Sequence, residues 1–382
     1  MTPPQDIVTP AYVYDLEQLH RDLDVVAGAC GKHGCRQLYP LKTNALRPLL
    51  QELKPVVDGF SVSSPNEARL ARAVGGRPGE VHFTSPGLTA PMLGELLPQV
   101  DCVYCNSMAQ LDALLAASPA PEQVGLRVNP QLSFVDEEAY DPCRRHSKLG
   151  LPLDELAVLL ARDDARLQQV DSVLMHFTSE STDFGPLLTA VSHLAEHARP
   201  LLRHVSRVNV GGGFLFEDRD GFRALGEAVQ ALKGGFGVQV FMEPGTAVVA
   251  DCCRLHSTVI DSFHSQGEQV CVLDTTVNHL PEVLEFDYCP QLVEATADGA
   301  HACTLAGSSC LAGDIFGRYR FDRPLTVGST VRFAGCGCYS LVKAHLFNGI
   351  HLPRLYVLPR TQPRLPAMVR EPSYEDYASR FG

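Results

Sequence analysis

No apolar run among the 382 residues is long enough to cross a bilayer; Arg, His, Asp or Pro interrupts each candidate. No secretory leader is expected from the opening residues. Cationic side chains are in deficit, with 32 Lys and Arg against 44 Asp and Glu and a net charge of −12. That balance argues against nucleic-acid binding and against attachment to an acidic membrane surface, and it leaves small ligands open, cationic ones included. Paired C-x-x-C knuckles are also lacking. The chain has 13 cysteines, but Cys252 and Cys253 are adjacent and Cys336 and Cys338 are one residue apart, so no structural zinc site is expected. The odd count and the lack of an expected leader imply reduced thiols in a cytoplasmic protein.

What is there is enough apolar material, 45% of the residues, for a large core and for more than one domain. Between about residues 30 and 260, β-like runs alternate with helix-like ones. GCRQLYPLKTN, VVDGFSVSS, EVHFTS, DCVYCNS, VGLRVNP, VDSVLMHFT, VSRVNVGGG and VQVFMEPG read as strands ending in polar or glycine turns. SPNEARLARAVG, SMAQLDALLAAS, DELAVLLARD and FGPLLTAVSHLAEHARP place apolar residues three or four apart, as helices do. Eight such strands predict a (β/α)8 barrel with functional groups at the C-terminal strand ends; an open α/β sheet is the competing architecture. After about 255 the texture turns β-rich, in LHSTVIDSF, EQVCVLDTTV, HACTLAGSSC, STVRFAGCGCYS and IHLPRLYVL. This predicts a separate C-terminal β-barrel-like domain. The expected boundaries are a segment 1–25 that joins the β domain through AYVYDL, a barrel over 26–255, and the β domain over 256–382.

Several residues at these strand ends carry chemistry. Lys42, in QLYPLKTNA, is a cation in an apolar run; it either reaches past the strand into solvent or takes part in a reaction. His176 in MHFTSES is either a packed histidine or a planar group for a ring to stack on. Gly211, Gly212 and Gly213 in RVNVGGGF form either a tight turn or a place where backbone amides approach a phosphate; the spacing is neither a Walker motif nor a dinucleotide fingerprint. Glu243 in FMEPGTA is a turn carboxylate or the partner of a protonated ring nitrogen, with Gly245 beside it. Together they match what a pyridoxal 5'-phosphate site requires: an amine to bond the cofactor, a face for its ring, phosphate donors and an acid at the ring nitrogen.

With these motifs in place, the chain resembles the barrel-type (fold type III) pyridoxal-phosphate decarboxylases, and within them the carboxynorspermidine/carboxyspermidine decarboxylase branch, from AYVYDL to NGIHLP. The resemblance implies that Lys42 is the lysine bonded to pyridoxal 5'-phosphate, that His176 stacks on the ring, that Gly211–Gly213 and Gly245 hold the phosphate, and that Glu243 faces the ring nitrogen. HLPEVLEFDYCP, SSCLAGD and GCYSLVKAHLFNGIHLP match the family's C-terminal signatures. They imply a head-to-tail homodimer with shared active sites, in which Cys310 and Asp314 serve the neighbouring subunit, Cys310 as an acid and Asp314 at the substrate. By the same resemblance, Tyr339 touches cofactor and substrate, and Glu180 and His279 face the substrate. Arg127 in GLRVNP stands on the cofactor side or in an ion pair. RRHSKLG, with His146, Ser147 and Lys148, is a family turn that shapes the pocket.

Two departures bear on the substrate, a small amino acid. The branch commonly reads EPGEA where this chain reads EPGTA, so Thr246 replaces a carboxylate, and FTSES stands where an asparagine-cysteine-glutamate pattern is usual. A carboxylate lost is a strong ammonium partner lost. Carboxynorspermidine or carboxyspermidine is the first expectation, and a diamino acid or a specialised-metabolite precursor the alternative. A noncatalytic carrier of the cofactor would need neither the C-terminal domain nor CLAGD.

Overall fold

A computed structural model describes residues 7–74, 79–117, 121–217 and 222–382. The chain divides into two compact units, one formed by 22–247 and the other by 7–21 with 248–382. The first strand, Ala11–Asp15 (β1), belongs to the second unit.

The unit 22–247 is built on Arg36–Pro40 (β2), Gly59–Val62 (β3), Glu80–Thr84 (β4), Cys102–Cys105 (β5), Gln123–Asn129 (β6), Leu151–Pro152 (β7), Ser172–Leu174 (β8), Arg207–Asn209 (β9) and Gln239–Met242 (β10). All pair in parallel, in the order β5-β4-β3-β2-β10-β9-β8-β6, and β6 returns to β5, which closes an eight-stranded barrel; β7 hangs on β6 outside the ring. The alternative of an open sheet is thereby excluded. The strands that read as apolar runs do so because helices cover them: every residue of β3 and of β5 is buried. Sequence punctuation sets the helices. Ser64 accepts the Glu67 N–H at 3.2 Å, with Pro65 opening the helix Pro65–Ala73, and Ser107 accepts the Gln110 N–H at 3.3 Å to start Met108–Leu115.

The second unit is one mixed sheet of Cys253–Ser265 (β11), Glu268–Leu273 (β12), His301–Ala306 (β13), Ile315–Phe321 (β14), Thr330–Phe333 (β15), Arg354–Leu358 (β16) and Ala367–Arg370 (β17), with β1 among them. Its order is β14-β13-β12-β11-β1-β16-β17, and β15 pairs with β11. The strand that AYVYDL contributes is antiparallel to β11 and parallel to β16. The tail EPSYEDYASRFG carries the short helix Tyr374–Ala378.

At the N-terminal end of the barrel, residues that open four strands meet: Arg36, Glu80, Gln123 and Arg207. Glu80 pairs with Arg36 through one oxygen, while its other oxygen takes Arg207 and, at 2.9 Å, His82 Nε2. Arg36 also bonds Asp58 at 3.1 Å. Burial alone would raise the Glu80 pKa, but hydrogen bonds from His82 and Arg36 and the charge of Arg207 hold it at about 2, against 4.5 for a free glutamate. The folded pKa lies below the unfolded one, so this stabilisation is complete above about pH 5 and is lost as the pH falls through about 2. Glu80→Gln is expected to cost about 2–3 kcal/mol at pH 7, from a shift worth about 1.4 kcal/mol per pH unit, slightly discounted for partial exposure. Urea unfolding of both proteins at pH 7 and pH 3.5 checks this; the stability gap should narrow at the lower pH, and an unchanged gap would contradict it.

Candidate active site

A closed parallel barrel brings all its C-terminal strand ends to one rim. Lys42 follows β2, Arg127 lies near the end of β6, His176 follows β8, Gly211–Gly213 follow β9, and Glu243 follows β10. Hydrogen bonds knit these loops together. Asn209, the last residue of β9 and fully buried, donates from Nδ2 to Glu243 Oε1 at 2.7 Å and accepts the Gly211 N–H on Oδ1 at 2.9 Å. The Glu243 N–H donates to the Gly211 carbonyl at 2.7 Å. The Gly212 N–H donates to His176 Nδ1 at 3.1 Å, so the proton of the neutral ring resides on Nε2.

The electrostatics suit a reactive amine. Lys42 keeps accessible surface, yet protein surrounds it closely enough for burial to pull its pKa down; Glu243 opposes the shift, Arg127 adds to it and Glu67 opposes it. Accessible surface inside dense surroundings describes a side chain standing in a recess. There, deprotonation to the nucleophilic form costs less than in water. Burial also drives the His176 pKa well below its ordinary value, helped by the charges of Lys42 and Arg127. His176 is therefore a neutral, planar group. Arg127 is buried, and its pKa is lowered by burial against the pull of Glu243.

The glycines are required where they stand. Gly211 and Gly213 have φ of 72° and 93°. A Cβ at Gly212 would sit 2.2 Å from the Glu243 carbonyl oxygen, one at Gly213 2.2 Å from that of Thr178, and one at Gly245 2.3 Å from Thr43 Oγ1. The amides of Gly213, Gly245 and Thr246 make no hydrogen bond to described residues. Arg127 Nε and Thr43 Oγ1 are buried without a partner. Spare amide donors, orphaned polar atoms, a neutral ring and a carboxylate fit a phosphorylated, planar, cationic-ring cofactor such as pyridoxal phosphate. Glu180 is exposed with φ of 52° in the loop after His176. Its neighbour Ser181 stitches that loop to the glycine loop, donating to Gly213 O at 2.8 Å and accepting the Leu215 N–H at 2.9 Å.

The other four expected residues lie in the sheet unit. Cys310 is exposed, and its N–H donates to Asn348 Oδ1 at 2.9 Å. Asp314, expected at the substrate, is only 2% exposed, and its own chain occupies both carboxylate oxygens. Val277 N–H reaches Oδ1 at 2.8 Å, and the Ser309 N–H and hydroxyl reach Oδ2. His279 is fully buried in the turn Val277–His279; its Nδ1 meets Thr275 Oγ1 at 2.9 Å, its Nε2 has no partner, and burial takes its pKa to about 3. Its carbonyl accepts the Tyr12 hydroxyl. Asp314 thus fastens the CLAGD loop to the turn that bears His279. Tyr339, half-buried with φ of 59°, opens the short helix Ser340–Lys343. Lys343 ties that helix to Glu282 at 3.2 Å and Glu285 at 2.6 Å, within HLPEVLE.

Two groups at the barrel rim escaped the sequence. Asn209 sits inside the strand VNV, where an asparagine among valines was the available signal. Glu67 accepts the Ser63 N–H at 2.7 Å; burial raises its pKa, while that bond and Lys42 oppose the rise. Its place in SPNE reads as an ordinary helix cap, which hid its electrostatic coupling to Lys42.

Comparison with known proteins bears on this site. The family described as "Pyridoxal-dependent decarboxylase, pyridoxal binding domain" matches residues 16–250. The chain is 30% identical to the carboxynorspermidine/carboxyspermidine decarboxylase of Herminiimonas arsenicoxydans, over 98% of this chain and 99% of that one. It is 31% identical to the carboxyaminopropylagmatine decarboxylase of a Synechocystis species, over 98% and 95%. Among solved structures, the carboxynorspermidine decarboxylase of Campylobacter jejuni complexed with norspermidine is similar with a TM-score of 0.87 at 26% identity, covering 98% of this chain and 100% of that one. With the matched region containing every rim residue described above, the chain belongs to the pyridoxal-dependent decarboxylases and takes pyridoxal phosphate as its cofactor.

Proposed function

We propose that the chain is a cytoplasmic homodimer that decarboxylates a carboxylated polyamine, carboxynorspermidine or carboxyspermidine, in polyamine biosynthesis. The observation that carries this reading is end-to-end likeness: relatives named for these substrates match over nearly the whole of both chains, sheet unit included. The cytoplasmic assignment is supported by thirteen free thiols and by the lack, among the described residues, of any helix long and apolar enough to cross a membrane. The relative named for carboxyaminopropylagmatine favours a second reading, since it is about equally similar. The named substrates share an aminocarboxypropyl end on a secondary amine and differ in the tail.

Bound at Lys42, pyridoxal phosphate supplies the electron sink for the pair left on the α-carbon when carbon dioxide departs. The residues supply the rest. Lys42 holds the cofactor through Nζ, and its lowered pKa favours the neutral amine that bonds and releases it. Glu243, held by Asn209, keeps a proton at the ring nitrogen. His176 lends a neutral face and adds no competing charge. The amides of Gly213, Gly245 and Thr246 would hold the phosphate, with Gly211 and Gly212 setting the loop. Cys310 of one subunit delivers a proton from Sγ to the α-carbon in the neighbour's site. The exposed Leu311 and Phe347 around Cys310 support such an interface. Tyr339 and Glu180 border the substrate, while Asp314, with both oxygens committed, positions the CLAGD loop against the turn that bears the fully buried His279.

Three measurements test these roles. In a panel of carboxynorspermidine, carboxyspermidine, carboxyaminopropylagmatine and meso-diaminopimelate, the first two should show kcat/KM about tenfold or more above diaminopimelate, the scale on which pockets separate such tails. Best turnover of diaminopimelate would overturn the assignment. Glu243→Gln keeps size and removes charge, so it should retain cofactor absorbance while kcat falls by roughly a hundredfold or more. Unchanged kinetics in a loaded, folded variant would remove Glu243 from its role. Mixing Lys42→Ala with Cys310→Ala subunits should restore activity toward about half of wild type per heterodimer, since one site regains both groups. Confirmed heterodimers without recovery would rule out shared sites.

A further inference from the structure

The helix Gly185–His197 buries Leu187, Ala190, Val191 and Leu194 and turns its other face outward. In its last turn that face carries His193, Glu196 and His197, none of which is used by the chemistry above. Spacings of three and four put them side by side. One ring nitrogen from each histidine and one Glu196 oxygen lie within 4.8 Å of one another, and the two ring centroids are 4.3 Å apart.

The His197 ring is already oriented: its Nδ1 donates to the His193 carbonyl oxygen at 3.0 Å. A ring nitrogen bonded to a carbonyl carries the proton, so the other nitrogen presents its lone pair, the arrangement that orients metal-ligating histidines. Glu196 is exposed on the same turn. The site lies at a helix C-terminus, where the aligned peptide dipoles favour a cation.

We propose that His193, Glu196 and His197 form a surface site for a divalent transition-metal ion of borderline softness, such as Zn²⁺ or Ni²⁺, held by two imidazoles and one carboxylate with water in the remaining positions. Imidazole donors select this class over Mg²⁺ and Ca²⁺, which take oxygen ligands. Metal–ligand bonds of about 2.0–2.2 Å draw the three atoms closer than they stand, by rotation of exposed side chains. A bound ion would clamp one helical turn to the next just before the helix breaks at Ala198.

The test uses the full-length, tag-free, cofactor-loaded enzyme and Ni²⁺ as the probe. Binding is measured by competition with a chromogenic chelator, and hydrogen exchange is followed across residues 193–198. Wild type should bind one more Ni²⁺ than the His193→Ala/His197→Ala double variant, or bind it about tenfold or more tightly, as expected for lost ligands. Glu196→Gln should fall between the two. Amide exchange in the last turn should slow with Ni²⁺ in wild type only. Thiol sites elsewhere, such as the exposed Cys289, contribute equally to all the proteins. Equal stoichiometry and affinity in the double variant, or no protection of the last turn in wild type, would overturn the site.

Discussion

The rim of the barrel depends on one buried side-chain amide. Asn209 uses its Nδ2 to hold Glu243 and its Oδ1 to hold the Gly211 amide, so a single residue fixes both a carboxylate and a glycine loop. Such an arrangement has little slack: a buried amide left half-paired costs about 1–3 kcal/mol, so the two loops settle together or not at all. The Glu243 amide closes the circuit by donating back to the Gly211 carbonyl. Gly212 then meets His176 through a bond that also sets the ring's tautomer. Positions on three strand ends become one rigid surface.

Around that surface the charges are balanced unevenly. Glu243 and Glu67 both favour the ammonium form of Lys42, whereas Arg127 and burial favour the amine, and the net effect is a lowered pKa. A lysine with a closely paired carboxylate would stay charged and inert toward an aldehyde. One with no carboxylate near it would have little reason to remain in the recess before the cofactor arrives. Burial is the largest influence in that balance and Arg127 adds to it, with its own Nε buried and unpartnered among the described residues. At the opposite end of the barrel the balance is conventional: Glu80 is surrounded by Arg36, Arg207 and His82, so charge is neutralised rather than poised.

How much of this the sequence carries depends on whether a residue's role is local. All eight barrel strands are legible because closed parallel strands are buried on both faces and end in polar or glycine turns. The glycine triplet and EPG are legible because positive φ and close backbone approach demand those residue types. Glu67 is hidden by its own local logic, since S-P-N-E explains itself as a helix cap. Asn209 is hidden because its partners lie on other loops, and only closure of the barrel brings them within reach. Asp314 shows the converse. SSCLAGD marks it by resemblance as a substrate group, yet its surroundings are backbone amides and a serine hydroxyl of its own unit. A motif reports that a residue matters, and its hydrogen bonds report how.

Thr246 concentrates the question of substrate. It follows Gly245 at the start of the short helix Thr246–Val249, with an amide that bonds no described residue and a side chain that is half-buried. A glutamate there would set a second anionic charge close to the one on Glu243 and would repel a phosphate approaching the same amides. Threonine removes that repulsion and leaves a hydroxyl that both donates and accepts. It also withdraws a carboxylate partner from any ammonium group that comes near. Glu180, on the loop after His176, is an exposed carboxylate at positive φ, next to the Ser181–Phe214 bridge. The exchange of one carboxylate for a hydroxyl therefore changes the charge beside the rim and leaves the residues that Asn209 holds together, Glu243 and the glycine loop, unaltered.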